Sequence, residues 1–189
     1  MPLSACADER LTYDDLLRIP DDGMRHEIID GVHYVTASPN LRHQQLLGRL
    51  YFAIESALRV QPSGQVFLSP LDVVFTKWDV VEPDLLFVST AQRHILTKAN
   101  VQGAPDLVVE IFSPGTQRRD EDIKLRLFER EGVREYWMVD PDRNVVLVCR
   151  RDADGNLTDV SELTEAGPAT LTTPLIPGLS LSTAELFAD

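Results

Sequence analysis

Hydrophobic and polar positions change period several times along this chain, and each change marks an element. The stretch that organises the rest is residues 104–140. Leu107-Val108-Val109 and Ile111-Phe112 form a short, β-branched-rich run between Pro105-Asp106 and Ser113-Pro114-Gly115, the pattern of a strand buried on both faces. Glu110 interrupts that run. A carboxylate left unpaired inside a sheet is costly, so such an acid has a cation, a metal or a donor beside it, or titrates neutral. The alternative is a strand-end acid reaching solvent or an arginine. Downstream, Ile123, Leu125, Leu127 and Phe128 give one apolar side to a helix expected over residues 120–130, with Asp120 as N-cap, Lys124 on its second turn and Gly132 as a left-handed stop. Asp120 and Lys124 stand four apart and share a face, which by default is a surface salt bridge. A further strand then runs into Asp140-Pro141.

The same reading extends over the rest of the chain. Thr12-Tyr13-Asp14-Asp15 predicts a short lid helix with a capping box, stopped by Pro20. Residues 25–29 and 32–36 flank Asp30-Gly31, a two-residue hairpin signal. Glu27, in the first of those strands, shares a face with Arg25 and Ile29, and alternation alone does not say whether that face meets a site or solvent. Leu46, Leu47, Leu50, Tyr51, Ile54 and Leu58 recur at three- and four-residue spacing, predicting a packing helix after Ser38-Pro39-Asn40. His43, in its first turn, reads as a surface or capping residue, with a functional role as the alternative. Residues 65–68, 71–75 and 85–88 read as successive strands, with Lys77-Trp78-Asp79 as a loop and Glu82-Pro83-Asp84 leading into the third strand. Residues 89–103 are expected to form a short helix and loop. The tail predicts strands at 145–148 and 158–163, then a short closing helix capped by Ser182 or Thr183.

Composition narrows the class. A chain of 189 residues with 43% hydrophobic and 25% charged content suits one α/β domain over residues 1–189, with a core at 12–148 and C-terminal strands and a short helix at 149–189. Its net charge of −12 opposes non-specific adhesion to nucleic acid or anionic membrane, so a polyanion substrate needs local cations or metal. Two cysteines, Cys6 and Cys149, make neither a disulfide framework nor a metal-ligand spacing, and a reducing compartment follows. No run approaches the roughly 20 apolar residues of a membrane span, so the expectation is a cytoplasmic protein without a membrane partner.

Asp84 stands at the mouth of one buried strand and Glu110 within another, and neighbouring strands can present both at one end of a sheet. Two converging carboxylates with a lysine are a chemically meaningful set. Hard oxygens suit Mg²⁺ or Mn²⁺, which share phosphate oxygens with a substrate and acidify an attacking water, while a lysine orients that water or stabilises developing charge.

Asp84 in Pro-Asp-Leu, Glu110 in Leu-Val-Val-Glu-Ile-Phe-Ser-Pro, Asp120 and Lys124 in Asp-x-x-x-Lys, and Gly132-Val133-x-Glu135-Tyr136-Trp137-x-x-Asp140-Pro141 together resemble the Uma-two family of restriction endonucleases, within the PD-(D/E)XK nuclease superfamily. The resemblance reaches upstream to Glu27 in His-Glu-Ile-Ile-Asp-Gly and to His43, covering about residues 12–148. It implies a restriction-endonuclease-like central mixed β-sheet flanked by helices. It also implies a metal-dependent endonuclease hydrolysing DNA phosphodiesters. Asp84 and Glu110 would then be ligands to Mg²⁺ or Mn²⁺, Lys124 the catalytic cation, and Glu27 an additional acid positioning metal or water. The superfamily usually carries its lysine two residues after the strand acid, where this chain has Phe112, so the resemblance implies that the lysine has moved to the following helix as Lys124. Asp106 also follows a proline, but four residues along the strand from Glu110 it would lie about 13 Å away. DNA is the implied partner, and the resemblance admits a homodimer. The second reading is a catalytically silent nuclease-fold module that binds nucleic acid or a protein partner, favoured by the acidic balance and the lack of a basic stripe.

Overall fold

Turn chemistry decides where this chain reverses, and strand alternation decides which faces are buried. The computed structural model describes residues 10–113, 119–165 and 169–188. Cys6, Pro114 and Gly115 lie outside the described residues, as does the side chain of Asp120. At α1 (Tyr13–Leu16) Asp15 reaches back to the Thr12 amide at 2.9 Å, closing the expected capping box. Asp30 and Gly31, with φ of 53° and 79°, form the tight turn between β1 (Arg25–Ile29) and β2 (Val32–Thr36). Asn40 caps α2 (Leu41–Val60), its side chain accepting the His43 amide at 2.9 Å. Then follow β3 (Gly64–Leu68), β4 (Val73–Thr76), β5 (Asp79–Val81), β6 (Leu85–Ser89), a 3₁₀ turn (Thr90–Ile95), β7 (Val101–Gln102) and β8 (Leu107–Ile111). A wide π-helical turn (Arg119–Lys124) runs straight into α3 (Leu125–Glu131), which ends at Gly132 with φ 95°. The chain closes with β9 (Glu135–Asp140), β10 (Val145–Arg150), β11 (Asp159–Thr164), β12 (Thr170–Leu171), β13 (Leu181–Ser182) and α4 (Thr183–Phe187), capped by Ser182 as expected.

The central sheet has six strands in the order β11-β10-β9-β8-β6-β3 and is mixed, since β8 and β9 run parallel while the other neighbours are antiparallel. The mixed sheet flanked by helices is therefore as expected. One face packs on α2: Leu46, Leu50 and Ile54 meet Leu85, Phe87, Leu107, Val109 and Ile111. The opposite face, through Leu86, Val88, Val108 and Met138, packs on Phe128 of α3 and on a second sheet of order β2-β1-β5-β4-β7. Ile29, Val73 and Val81 point from that second sheet toward the first. Ile28 and Val80, next to them in sequence, point outward onto Leu16 of α1. α1 therefore covers the outer face of the smaller sheet, where a lid had been expected.

Three further expectations change. The loop placed at 77–79 shrinks to Lys77-Trp78, and Asp79 opens a three-residue strand. Asp79 reads as a turn residue, yet it is buried and satisfied, accepting the Asp30 amide at 2.8 Å, the Thr76 hydroxyl at 2.8 Å and Arg130 at 2.9 Å. Residues 89–103, expected as helix and loop, also contain β7, which pairs in parallel with β4. The helix expected to start from an Asp120 cap is already wound at Arg119, so Asp120 lies inside the π-helical turn. Among the described residues no helix is long and apolar enough to cross a membrane.

Gly64 marks how closely β3 approaches its neighbour. A Cβ built there would lie 2.3 Å from the Val88 carbonyl oxygen and 2.6 Å from the Phe87 ring, which is fully buried. Gly64→Ala should destabilise the protein by about 1–3 kcal/mol through forced displacement, measured as a lower urea midpoint at unchanged slope.

Candidate active site

Alternation brings Arg25, Glu27, Asp84 and Glu110 to one end of the space between the sheets, and Lys124 and His43 reach them from the helical elements. Along β8, Glu110 has the parity of Val108 and Phe112, which face the second sheet. Asp84, just before β6, has the parity of Leu86 and Val88 on that same face. Continuing the register from the pair Leu85 and Val109 by one residue sets Asp84 across from Glu110. From the other sheet, Arg25 and Glu27 share the inward parity of Ile29. The face left undecided by the sequence is therefore the inner one.

Lys124 joins these layers. Leaving the π-helical turn, its side chain is fully buried, and Nζ donates to Glu27 Oε1 at 2.8 Å and to Glu110 Oε1 at 2.6 Å. That burial excludes a surface position for Lys124, while its pairing with Asp120 falls on a side chain outside the described residues. Glu27 Oε1 also accepts the Glu82 amide at 3.0 Å. The lysine is thus brought to Glu110 from another element, although Phe112 occupies the position two residues beyond the acid and packs in the core.

Asp84 is held separately. Its Oδ1 accepts from Arg25 Nη1 at 2.7 Å, while its Oδ2 accepts from His43 Nε2 at 3.0 Å and the Ile111 amide at 2.8 Å. A carboxylate accepts only, so His43 donates from Nε2. Burial alone would raise the Asp84 carboxyl. The His43 hydrogen bond, the Arg25 charge, the His43 charge and the Ile111 amide outweigh it and hold the carboxyl at about 2. Burial would likewise lower the Arg25 guanidinium, but the charges of Glu110, Asp84 and Glu27 push it further above its usual value. Glu82, at the rim, is pushed up to about 7 by burial and by the charges of Asp72 and Glu27.

Arg25 is the member that sequence reasoning missed, and His43 read first as a surface or capping residue, with a functional role as the alternative. Each carried a signal. His43 lies on the buried stripe of α2, three, four and seven positions before Leu46, Leu47 and Leu50, and a polar residue on such a stripe requires a buried partner. Arg25 shares parity with Glu27 two residues away. Asp106 is structural, its carboxylate accepting the Ser89 amide at 2.7 Å and Arg134 at 3.1 Å.

A family model described as "Putative restriction endonuclease", named Uma2, matches residues 13–184. The chain belongs to the Uma2 family. The structure is similar to the crystal structure of a "putative nuclease belonging to DUF820" from Anabaena variabilis ATCC 29413, with a TM-score of 0.78 at 22% identity over 94% of this chain and 98% of the other, a likeness of fold. A type IIG restriction endonuclease, BpuSI, matches at 14% identity and a TM-score of 0.39 over 77% of this chain and 15% of its own, too distant to carry argument. No curated protein matches the chain.

The donor chemistry fits a hard divalent cation. Among the described residues no three His, Cys, Asp or Glu side chains are grouped as metal ligands. Mg²⁺ is commonly held by one or two carboxylates, with water and substrate phosphate filling the other positions, and Asp84 and Glu110 are the facing pair that would hold it.

Two stability measurements follow. Because the Asp84 carboxyl is held at about 2 against an ordinary 3.8, its contribution is complete above about pH 4 and is lost as pH falls through 2. In chelator, the wild type should lose on the order of 2 kcal/mol more than Asp84→Asn across that window in urea titrations. Lys124→Met leaves two buried acids without their shared cation and should cost about 3–5 kcal/mol. Adding Glu27→Gln to Lys124→Met should recover part of that loss.

Proposed function

We propose that this Uma2-family chain is a metal-dependent DNA endonuclease that hydrolyses phosphodiester bonds with Mg²⁺ or Mn²⁺. Asp84 and Glu110 are the metal ligands, Lys124 the catalytic cation and Glu27 an additional acid that positions metal or water. The observation that carries this reading is the fully buried Lys124 ammonium in contact with Glu110 at 2.6 Å and Glu27 at 2.8 Å. A desolvated lysine between two acids is an expensive arrangement for structure alone, whereas a nuclease needs a fixed positive charge beside its metal-binding carboxylates.

The bound metal would supply Lewis acidity toward the phosphate and a more acidic water. The protein's own part is positional. Glu110 is fixed in the sheet by β8 pairing with β6 and β9. Asp84 is kept ionised by Arg25, His43 and the Ile111 amide, so its oxygens remain available as hard ligands at neutral pH. Glu27 and Glu110 together fix the Lys124 ammonium, which can orient a water or offset charge gathering on the phosphate oxygens.

One observation favours the second reading, a silent nuclease-fold module that binds nucleic acid or a protein. Both proposed metal ligands already hold protein cations, Asp84 with Arg25 and Glu110 with Lys124. Cleavage assays separate the two. Supercoiled plasmid should be nicked or linearised with Mg²⁺ or Mn²⁺ and left intact in chelator, with Glu110→Gln reducing the rate at least about a hundredfold. Lys124→Arg should retain a small fraction of activity, since a planar guanidinium replaces a point charge. Cleavage persisting in chelator would sink the metal mechanism, and folded wild type inert with both metals on single- and double-stranded DNA would favour the silent module.

A further inference from the structure

A cleft of about 370 Å³ opens beside Asp84, between the start of β1, the residues leading into α2 and the turn before β4. Arg25, His43, Glu82, Asp84, Ser38 and Ser69 are among the residues that line it. The three donors on Asp84 are not equivalent. His43 and the Ile111 amide both serve Oδ2 and are fixed, one on the buried face of α2 and the other in the backbone of β8. Arg25 alone of these serves Oδ1, and its side chain is 19% exposed against 6% for His43. Only one edge of its guanidinium is used: Nη1 donates to Asp84 at 2.7 Å and to the Glu82 carbonyl at 3.1 Å, while Nε and Nη2 make no hydrogen bond with the described residues.

We infer that Arg25 is a substrate-binding residue whose unused guanidinium edge takes a backbone phosphate of the nucleic acid strand seated in this cleft, while its other edge keeps hold of Asp84. This rests on the nuclease reading and assigns that site its phosphate seat. Guanidinium presents five N–H donors in a planar fork, so one side chain can serve a carboxylate and a phosphate at once, which a lysine cannot do with the same geometry. The seat is then set one guanidinium width from Asp84. The N-terminal end of the 20-residue α2 adds to the attraction: Ser38 and Pro39 line the cleft just before the Asn40 cap, and the first turn carries no acid. Asp21 and Glu82 line the same cleft and oppose an anion. With Glu27, Asp84 and Glu110 also nearby, phosphate binding should strengthen when a divalent cation offsets the negative charge.

The test is equilibrium binding of fluorescent DNA duplexes, read by anisotropy over a salt series, in Ca²⁺ and in chelator, for wild type, Arg25→Gln and Arg25→Lys. Both variants should bind about tenfold or more weakly in Ca²⁺, equally for unrelated duplex sequences. Arg25→Gln, which removes the charge, should also lower the slope of log affinity against log salt by about 0.9, the signature of one lost phosphate contact. Arg25→Lys keeps the charge and the clamp on Asp84, so its thermal melt should stay near wild type, and it carries the test if the glutamine variant does not fold. Wild-type affinity in folded variants, an affinity loss in Arg25→Gln with no change of slope, or a wild type that does not bind DNA overturns the proposal. A wild type that binds through Arg25 but never cuts leaves Arg25 in place and removes the catalytic reading alone. Equal wild-type affinity in Ca²⁺ and chelator counts against the metal, and the slope comparison still decides Arg25.

Discussion

A buried ammonium shared by two carboxylates on different sheets is the constraint on which the rest of this molecule depends. Glu27 comes from the smaller sheet, Glu110 from the central one and Lys124 from the turn before α3, and all three are within 1% of full burial. An ion at such a site costs several kcal/mol in lost hydration unless its partners are held at contact distance. The two sheets must therefore stack in one register, and α3 must start at one height. Ile29, Val81, Val108 and Phe128 supply the apolar contact that holds that stacking. The hydrophobic core and the polar cluster thus occupy the same interlayer space, the core fixing distances that the ions alone could not maintain.

The lysine's route explains why a wide turn precedes α3. A lysine two residues after Glu110 would leave the same strand on the same face. Here that position is Phe112, packed among Val108 and Phe128, and the charge arrives instead from residue 124. A π-helical turn holds one more residue per hydrogen-bonded loop than an α-turn and recurs near functional sites. It lets the backbone at Arg119–Lys124 turn a long side chain inward before Leu127 and Phe128 take up the apolar face of α3. Gly132 closes that helix with a positive φ, and Val133 continues into the core ahead of β9.

Features encoded by local chemistry were legible before any coordinates. The Asp30-Gly31 turn, the Gly132 stop, the Ser182 cap and the long stripe of α2 each depend on a few adjacent residues, and each is where the pattern puts it. Glu110 was legible because a charge in a β-branched run demands a partner. What stayed hidden depends on tertiary pairing. Val80 and Val81 are too few to announce a strand, and Asp79 looks like a turn residue until the Asp30 amide and Arg130 are brought to it. Arg25 and Glu27 alternate with apolar neighbours in a hairpin that could face either way, and only the second sheet's stacking decides it. His43 was discounted because histidine near a helix start is commonly a surface residue, although its spacing to Leu46, Leu47 and Leu50 put it on the buried stripe.

The acidity of the whole chain, −12 in formal charge, sets a last requirement on how such a site can meet a polyanion. A broad basic surface would attract nucleic acid at long range, but here attraction has to be local, because beyond roughly 10 Å the field of any single cation is screened at moderate salt. On the proposed reading the described cations of the site would serve that purpose by being buried or nearly so, where screening is weak: Lys124 fully, and Arg25 at 19% side-chain exposure. Their own acids hold them in place, Asp84 gripping Arg25 while Glu27 and Glu110 grip Lys124. In the proposed reaction a phosphate entering with its divalent cation therefore meets a guanidinium and an ammonium already oriented.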